Sequence, residues 1–154
     1  MTPKRSAGLL LFRHTDEGTE VLLGHMGGPY FARKDAGAWT VPKGEYEPDE
    51  PAWEAARREF QEELGLPPPD GEAIGLGEVR QTNGKIVTVW GIEADLDPAA
   101  IDPGTFTMEW PPRSGRTQEF PELDRVAWYG LDRAREVIVP AQAAFLDRLT
   151  EHSA

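Results

Sequence analysis

The sequence predicts an α/β fold, a mixed β-sheet flanked by one central helix and one C-terminal helix. Three observations carry that expectation. Short β-branched and apolar runs alternate with turn residues in the first and middle parts of the chain. One segment near residue 50 has a clear helical apolar stripe, and a second stripe of the same period lies close to the C-terminus. The 154 residues suit one domain, residues 1–154, with no internal repeat and no linker, since the 16 glycines and 14 prolines are scattered as turn punctuation.

Taken in order, Ser6–Arg13 and Glu20–His25 are apolar runs joined by a polar stretch holding Asp16-Glu17-Gly18, which predicts a hairpin. Gly27-Gly28-Pro29 opens an irregular loop reaching Ala38, and Trp39-Thr40-Val41 forms a short strand stopped by Pro42. The clearest helix spans Glu50–Leu64, with Asp49 as N-cap and Pro51 in the first turn, where a missing N–H costs nothing. Trp53, Ala56, Phe60 and Leu64 make one stripe along it, Gly65 stops it, and Pro67-Pro68-Pro69 prevents continuation. Glu72–Gln81 and Lys85–Ala94 flank Asn83-Gly84, a strong hairpin signal. Ile86 to Trp90 is nearly all apolar or β-branched, as in a strand covered on both faces, and Trp90 and Trp128 are expected in the core. Thr105–Trp110 and Arg125–Tyr129 are further strands, followed by helical Leu131–Val137 and Pro140–Thr150, the latter with Ala141, Phe145 and Leu149 on one face.

Charge and composition narrow the function. Sixteen Lys and Arg against 27 Asp and Glu leave a net charge of −11, the wrong sign for a duplex nucleic-acid binder or a polybasic membrane-surface module. No apolar run approaches the roughly 18–20 residues of a membrane span. The apolar run after Lys4-Arg5 is short and meets Arg13, His14, Asp16 and Glu17, so it reads as a first strand instead of a signal peptide. With no cysteine, disulfides, thiolate metal sites and Cys nucleophiles are excluded, and a cytoplasmic setting is expected.

The acidity is concentrated. Between Glu45 and Glu63 stand eight acids and two bases, a net −6 in 19 residues. Glu59, Glu62 and Glu63 fall at i, i+3 and i+4, which places three carboxylates on one side of a helix, beside the apolar stripe. Like charges at that spacing repel, and Arg57 and Arg58 relieve them only partly. Oxygen ligands on a rigid support with excess negative charge are what a hard divalent cation requires, so the pattern points to Mg²⁺, with Mn²⁺ as the alternative.

The wider pattern is more specific. Gly44, five residues, Glu50, seven residues, Arg58-Glu59-Phe60, one residue, Glu62-Glu63, one residue, Gly65-Leu66 resembles the complete signature of the Nudix hydrolases. At typical residue frequencies a chance match in so short a chain is below about one in a million. The resemblance implies a Nudix α/β/α sandwich and a metal-dependent pyrophosphohydrolase that attacks phosphorus with water. It implies Glu59, Glu62 and Glu63 as metal-ligating carboxylates with the carbonyl of Gly44, an orienting ion pair between Arg58 and Glu50, and an exit turn at Gly65. Cations that bridge anhydride oxygens cancel the repulsion that protects a phosphoanhydride, and phosphoryl transfer then needs positioning more than a covalent nucleophile. The water's proton has several candidate acceptors: Glu59 or Glu62 within the box, and Glu119 or Glu122 outside it.

For the substrate, the entry Pro42-Lys43-Gly44 resembles branches that handle highly phosphorylated compounds, because an ammonium beside the metal site adds a contact to an extra phosphate. The expected partner is therefore a small phosphoanhydride, a dinucleoside polyphosphate or nucleoside triphosphate first. The alternatives are ADP-ribose, a nucleotide sugar, a diphosphoinositol phosphate, or nucleotide binding without catalysis. Arg33, Lys34, Lys85, Arg113 and Arg116 are candidates to line a phosphate channel, and Tyr30 and Phe31 to stack on a base.

Overall fold

The computed structural model describes residues 3–153. Its strands are β1 (Arg5–Thr15), β2 (Gly18–Met26), β3 (Trp39–Thr40), β4 (Lys43–Glu45), β5 (Ala73–Arg80), β6 (Ile86–Glu93), β7 (Thr105–Glu109), β8 (Thr117–Pro121) and β9 (Leu123–Gly130). The helices are α1 (Ala52–Leu64), α2 (Leu131–Val137) and α3 (Ala143–Ser153).

β1 organises the sheet. Along one edge it runs parallel to β6, from Arg5 opposite Ile86 to Phe12 opposite Glu93. Along the other it pairs antiparallel with two strands in turn: β4 beside its first half (Ser6 opposite Glu45) and β2 beside its second (Phe12 opposite Val21). The sheet is mixed for this reason. β5 extends it past β6, while β3 and β9 pair with β2. β7 and β8 form a separate two-stranded ribbon between β6 and β9.

The near-continuous apolar run of β1 is explained by burial on both faces. Leu10 and Phe12 point to one side, where they join Val21, Leu23, Trp39, Val87 and Val89 beneath Val137, Phe145 and Leu149 of α2 and α3. Ala7, Leu9 and Leu11 point to the other, against Ala55, Ala56, Phe60 and Leu64 of α1. This is the α/β/α sandwich expected from the sequence, with α1 on one face and the C-terminal helices on the other.

Several details differ from expectation. α1 begins at Ala52, and Asp49 does not cap it: Pro51 takes the N-cap position in extended conformation (φ −61°, ψ 137°) with no side-chain cap bond. The reason is a preceding turn, in which the Glu50 amide donates to the Glu47 carbonyl at 3.0 Å and carries Asp49 away from the helix end. Pro140–Gln142 is a 3₁₀ turn that precedes α3, closed by the Gln142 amide donating to the Val139 carbonyl at 2.8 Å. Trp90 and Trp128 are half-buried at the border of the core; the Trp128 indole N–H donates to the Leu96 carbonyl (2.9 Å) and Arg13 lies 4.2 Å over its ring. β4 and β8 carry too few apolar residues to be visible in sequence and are strands because β1 and β7 pair with them.

Candidate active site

β4 and α1 meet where the sheet's first strand is still unspent. Gly44 pairs with Ala7 of β1, and on its other side lies the carboxylate of Glu59, close enough that a Cβ built on Gly44 would run into it. Only glycine leaves room for that carboxylate. At the far end of α1, Gly65 adopts the left-handed conformation (φ 68°) and its amide closes the helix on the Gln61 carbonyl at 2.8 Å. That conformation is open to glycine at little cost.

Arg58 is the hub of the helix. Its Nε and Nη2 each donate at 2.8 Å to the two oxygens of Glu50, a bidentate pair tying the entry loop to α1. Its Nη1 donates to Glu59 at 2.8 Å and to Glu62 at 3.1 and 3.2 Å. These acids, Glu50 foremost, hold the guanidinium well above its usual range. Glu50 in turn is held below the ordinary carboxylate range by Arg58.

A cavity of about 480 Å³ opens beside this hub, lined by Ser6, Lys43, Gly44, Glu45, Glu59, Glu62, Glu63, Lys85, Gly104, Thr105 and Glu122. Its charges are out of balance. Glu63 has no hydrogen bond or ion pair among the described residues, and burial, aggravated by Glu122 and Glu59, pushes its carboxyl up to about 8. Burial likewise raises Glu59 and Glu122. Lys43 is lowered by burial first and by neighbouring Lys85 second. Lys85 itself bonds Glu45 at 3.0 Å. The hydroxyl of Ser6, 1% exposed, has no hydrogen-bond partner among the described residues. A larger space, about 730 Å³, lies on the other side of the box loop between Lys4 and Ala52, and no such unbalanced cluster faces it.

The donor set suits a hard cation. Carboxylate oxygens on a helix, one of them with no ion pair or hydrogen bond among the described residues, and a backbone cradle that excludes a side chain are the features such an ion needs. Among the described residues no three acidic or histidine side chains converge on one point. The cause is visible in Arg58, which draws Glu59 and Glu62 onto its own guanidinium.

Of the other sequence candidates, Glu122 stands in the cavity wall, whereas Glu119 is exposed on β8 opposite Thr107. Lys43 and Lys85 line the cavity. Tyr30 and Arg33 lie on the loop between β2 and β3 and are not among its lining residues, and Phe31 packs against the core. Ser6, Gly104 and Thr105 were not singled out in the sequence; nothing local marks them, because β1 and the base of the ribbon reach α1 only through the fold. Ser6 alone carried a signal, a polar residue opening an otherwise apolar strand.

The NUDIX domain family model matches residues 2–149, and the chain belongs to the Nudix family. With every position of the signature retained, it is a pyrophosphohydrolase of that family, whose members use divalent metals. No curated protein matches the chain. Among solved structures it is similar to the Caenorhabditis elegans Ap4A hydrolase in a binary complex, at 21% identity over 97% of each chain with a TM-score of 0.68. It is also similar to the NUDIX domain of Shewanella oneidensis NrtR complexed with ADP ribose, at 15% identity over 100% of this chain and 90% of that one (TM-score 0.63). A NUDIX hydrolase from Nitrosomonas europaea matches at 18% identity over 98% and 90%, with a TM-score of 0.62. At these identities the likeness is one of fold. No helix among the described residues is long and apolar enough to cross a membrane.

Proposed function

We propose that the protein hydrolyses a phosphoanhydride bond in a nucleoside polyphosphate, a dinucleoside polyphosphate or nucleoside triphosphate before ADP-ribose, with Mg²⁺ as cofactor and Mn²⁺ as its substitute. One observation carries the substrate class: two ammonium groups, Lys43 and Lys85, stand in the same cavity wall as Glu59, Glu62 and Glu63. Carboxylates that hold a cation recognise the diphosphate to be cut; ammonium groups beside them recognise phosphate beyond it.

Glu59, Glu62, Glu63 and the Gly44 carbonyl would hold the cation, which supplies neutralisation of the anhydride and acidification of water. The chain's own residues do the rest. Arg58 and Glu50 fix the pitch of α1 against the entry loop, and Gly44 admits the Glu59 carboxylate. A water oxygen bonds to phosphorus, the bridging P–O bond breaks toward the leaving phosphate, and the water's proton passes to Glu122. Glu122 suits that role because it faces the same cavity and burial raises its affinity for a proton, which makes it a stronger base than an exposed carboxylate. Glu59 and Glu62, engaged by Arg58, are worse placed to accept it.

The test is a substrate panel with Mg²⁺ in ¹⁸O-labelled water, with mass analysis of the products. The expected result is turnover of polyphosphate substrates ahead of ADP-ribose, with label in one phosphate product. Turnover of ADP-ribose alone contradicts the substrate class, and nucleotide binding with no product under Mg²⁺ or Mn²⁺ contradicts catalysis.

A further inference from the structure

Val41 and Pro42 link β3 to β4, and Pro42 has no N–H to give to a sheet ladder. The Val41 amide is met by a side chain instead, donating to Oε1 of Gln142 at 2.9 Å. Gln142 is fully buried in the 3₁₀ turn between α2 and α3, on the face of the sheet opposite α1. The other end of the same side-chain amide is engaged as completely. Its Nε2 donates to the Thr40 hydroxyl at 2.9 Å and to Oε1 of Gln81 at 3.0 Å. The Thr40 hydroxyl donates onward to the Val41 carbonyl at 3.0 Å. A backbone amide only donates, so Val41 decides which end of Gln142 faces it, and both Nε2 hydrogens are then used by Thr40 and Gln81.

The two segments gripped here are the two that bring ammonium groups to the cavity. Lys43 follows Val41 by two residues. Gln81 closes the β5–β6 hairpin: its amide donates to the Lys85 carbonyl at 2.8 Å, and its carbonyl accepts from Gly84 at 2.9 Å. In the sheet these segments are kept apart by β1, with β4 on one of its edges and β6 on the other. Their ammonium groups share one cavity wall and repel each other. On the cavity side the gap is spanned by the Lys85–Glu45 ion pair at 3.0 Å, about half exposed on its acidic side. An exposed pair of this kind is weak and gives way when a phosphate takes the lysine. The Gln142 network lies behind the sheet, away from solvent, where a fully satisfied set of hydrogen bonds rigidifies the parts it joins.

We infer that Gln142 is a positioning residue for substrate charge: its buried amide ties the Val41–Lys43 entry and the Gln81–Lys85 hairpin into one frame and so sets the spacing at which the two ammonium groups meet phosphate. Gln142 touches neither substrate nor cation in this account; it acts through Val41 and Gln81. The C-terminal part of the chain thereby tunes how many phosphates the cavity accepts. This rests on the polyphosphate reading of the cavity.

Titration calorimetry with Mg²⁺ compares inorganic tripolyphosphate with pyrophosphate for wild type, Gln142→Met and Gln81→Met. Hydrogen exchange is followed at the Val41 and Gln81 amides. Methionine matches glutamine in length and offers no N–H. Gln81→Met breaks the hairpin arm alone at a half-buried position, so it carries the test should Gln142→Met fail to fold. Both variants are expected to bind tripolyphosphate roughly tenfold more weakly, the scale of one displaced charge-assisted contact, with pyrophosphate affinity unchanged. Exchange in Gln142→Met quickens at both amides. Turnover of a nucleoside polyphosphate shows the matching split, KM raised and kcat retained. Equal weakening of both probes, unchanged tripolyphosphate affinity, or a Gln81 amide that stays protected in Gln142→Met overturns the inference. Wild type that does not prefer tripolyphosphate, while Gln142→Met still loosens both amides, overturns the polyphosphate reading and leaves the frame standing.

Discussion

The Cα of Gly44 lies directly beneath the Glu59 carboxylate, with no space between them for a methyl group. The obstructed atoms are the far end of a flexible side chain, so the chain has a way to yield. Gly44→Ala is therefore expected to leave stability within about 1 kcal/mol of wild type while swinging Glu59 out of place. Activity falls by an order of magnitude or more on the scale of displaced metal-site ligands. Thermal melting and steady-state kinetics on the same preparation check both halves.

Glu63 places an unpartnered carboxyl in the cavity, raised to about 8 by burial and then by Glu122 and Glu59. A carboxyl whose folded pKa exceeds its unfolded value of 4.5 contributes stability below about pH 4.5, and that contribution is lost as pH rises through about 8. The metal-free protein is thus expected to lose melting temperature between pH 6 and pH 8.5. Glu63→Gln loses less and melts roughly 2–4 °C higher at the alkaline end, equivalent to about 1 kcal/mol in a chain of this size. Saturating Mg²⁺ reverses the order, because it stabilises only the carboxylate form. Parallel melting curves for both proteins across this range contradict the account.

The Ser6 hydroxyl is buried in the cavity wall with no hydrogen-bond partner among the described residues. An unsatisfied buried group costs the fold its hydration, so its retention points to an absent partner. Ser6→Ala is expected to keep or raise the melting temperature of the free protein and to raise KM. A variant that melts lower with unchanged KM assigns the hydroxyl to the fold instead.

Arg58 grips Glu50 through two parallel 2.8 Å bonds and bonds Glu59 and Glu62 as well. Lysine keeps the charge and loses the fork. Arg58→Lys is expected to lower activity or cation affinity by 10- to 100-fold, the usual cost of losing an orienting partner of metal ligands. Metal titration beside kinetics distinguishes the two.

How much of this was legible in the sequence follows from how local each relationship is. Glu50, Arg58, Glu59, Glu62 and Glu63 lie within one loop and one helix, whose geometry fixes their neighbours before any tertiary contact forms. The two-faced burial of β6 was legible from its nearly unbroken apolar run for the same reason, with Val87 and Val89 on one side and Trp90 and Ile92 on the other. Glu122 and Glu119 could not be told apart, because only the pairing of β8 with β7 and the turn into β9 decides which of them faces α1. Tyr30 meeting Trp110, 80 positions away, is a product of topology, and no spacing rule reaches it. Asp49 had the right chemistry for a cap and the wrong backbone, since the turn at Glu47–Glu50 and Pro51 set the helix start two residues later.

The central claim is that Glu59 and Glu63 hold the divalent cation on which hydrolysis depends. Its most direct test is Mg²⁺ titration and turnover of a nucleoside polyphosphate by wild type, Glu59→Gln and Glu63→Gln, with circular dichroism as the control for folding. Folded variants that lose the cation site and turnover together are the predicted result. Full activity in both variants would contradict it.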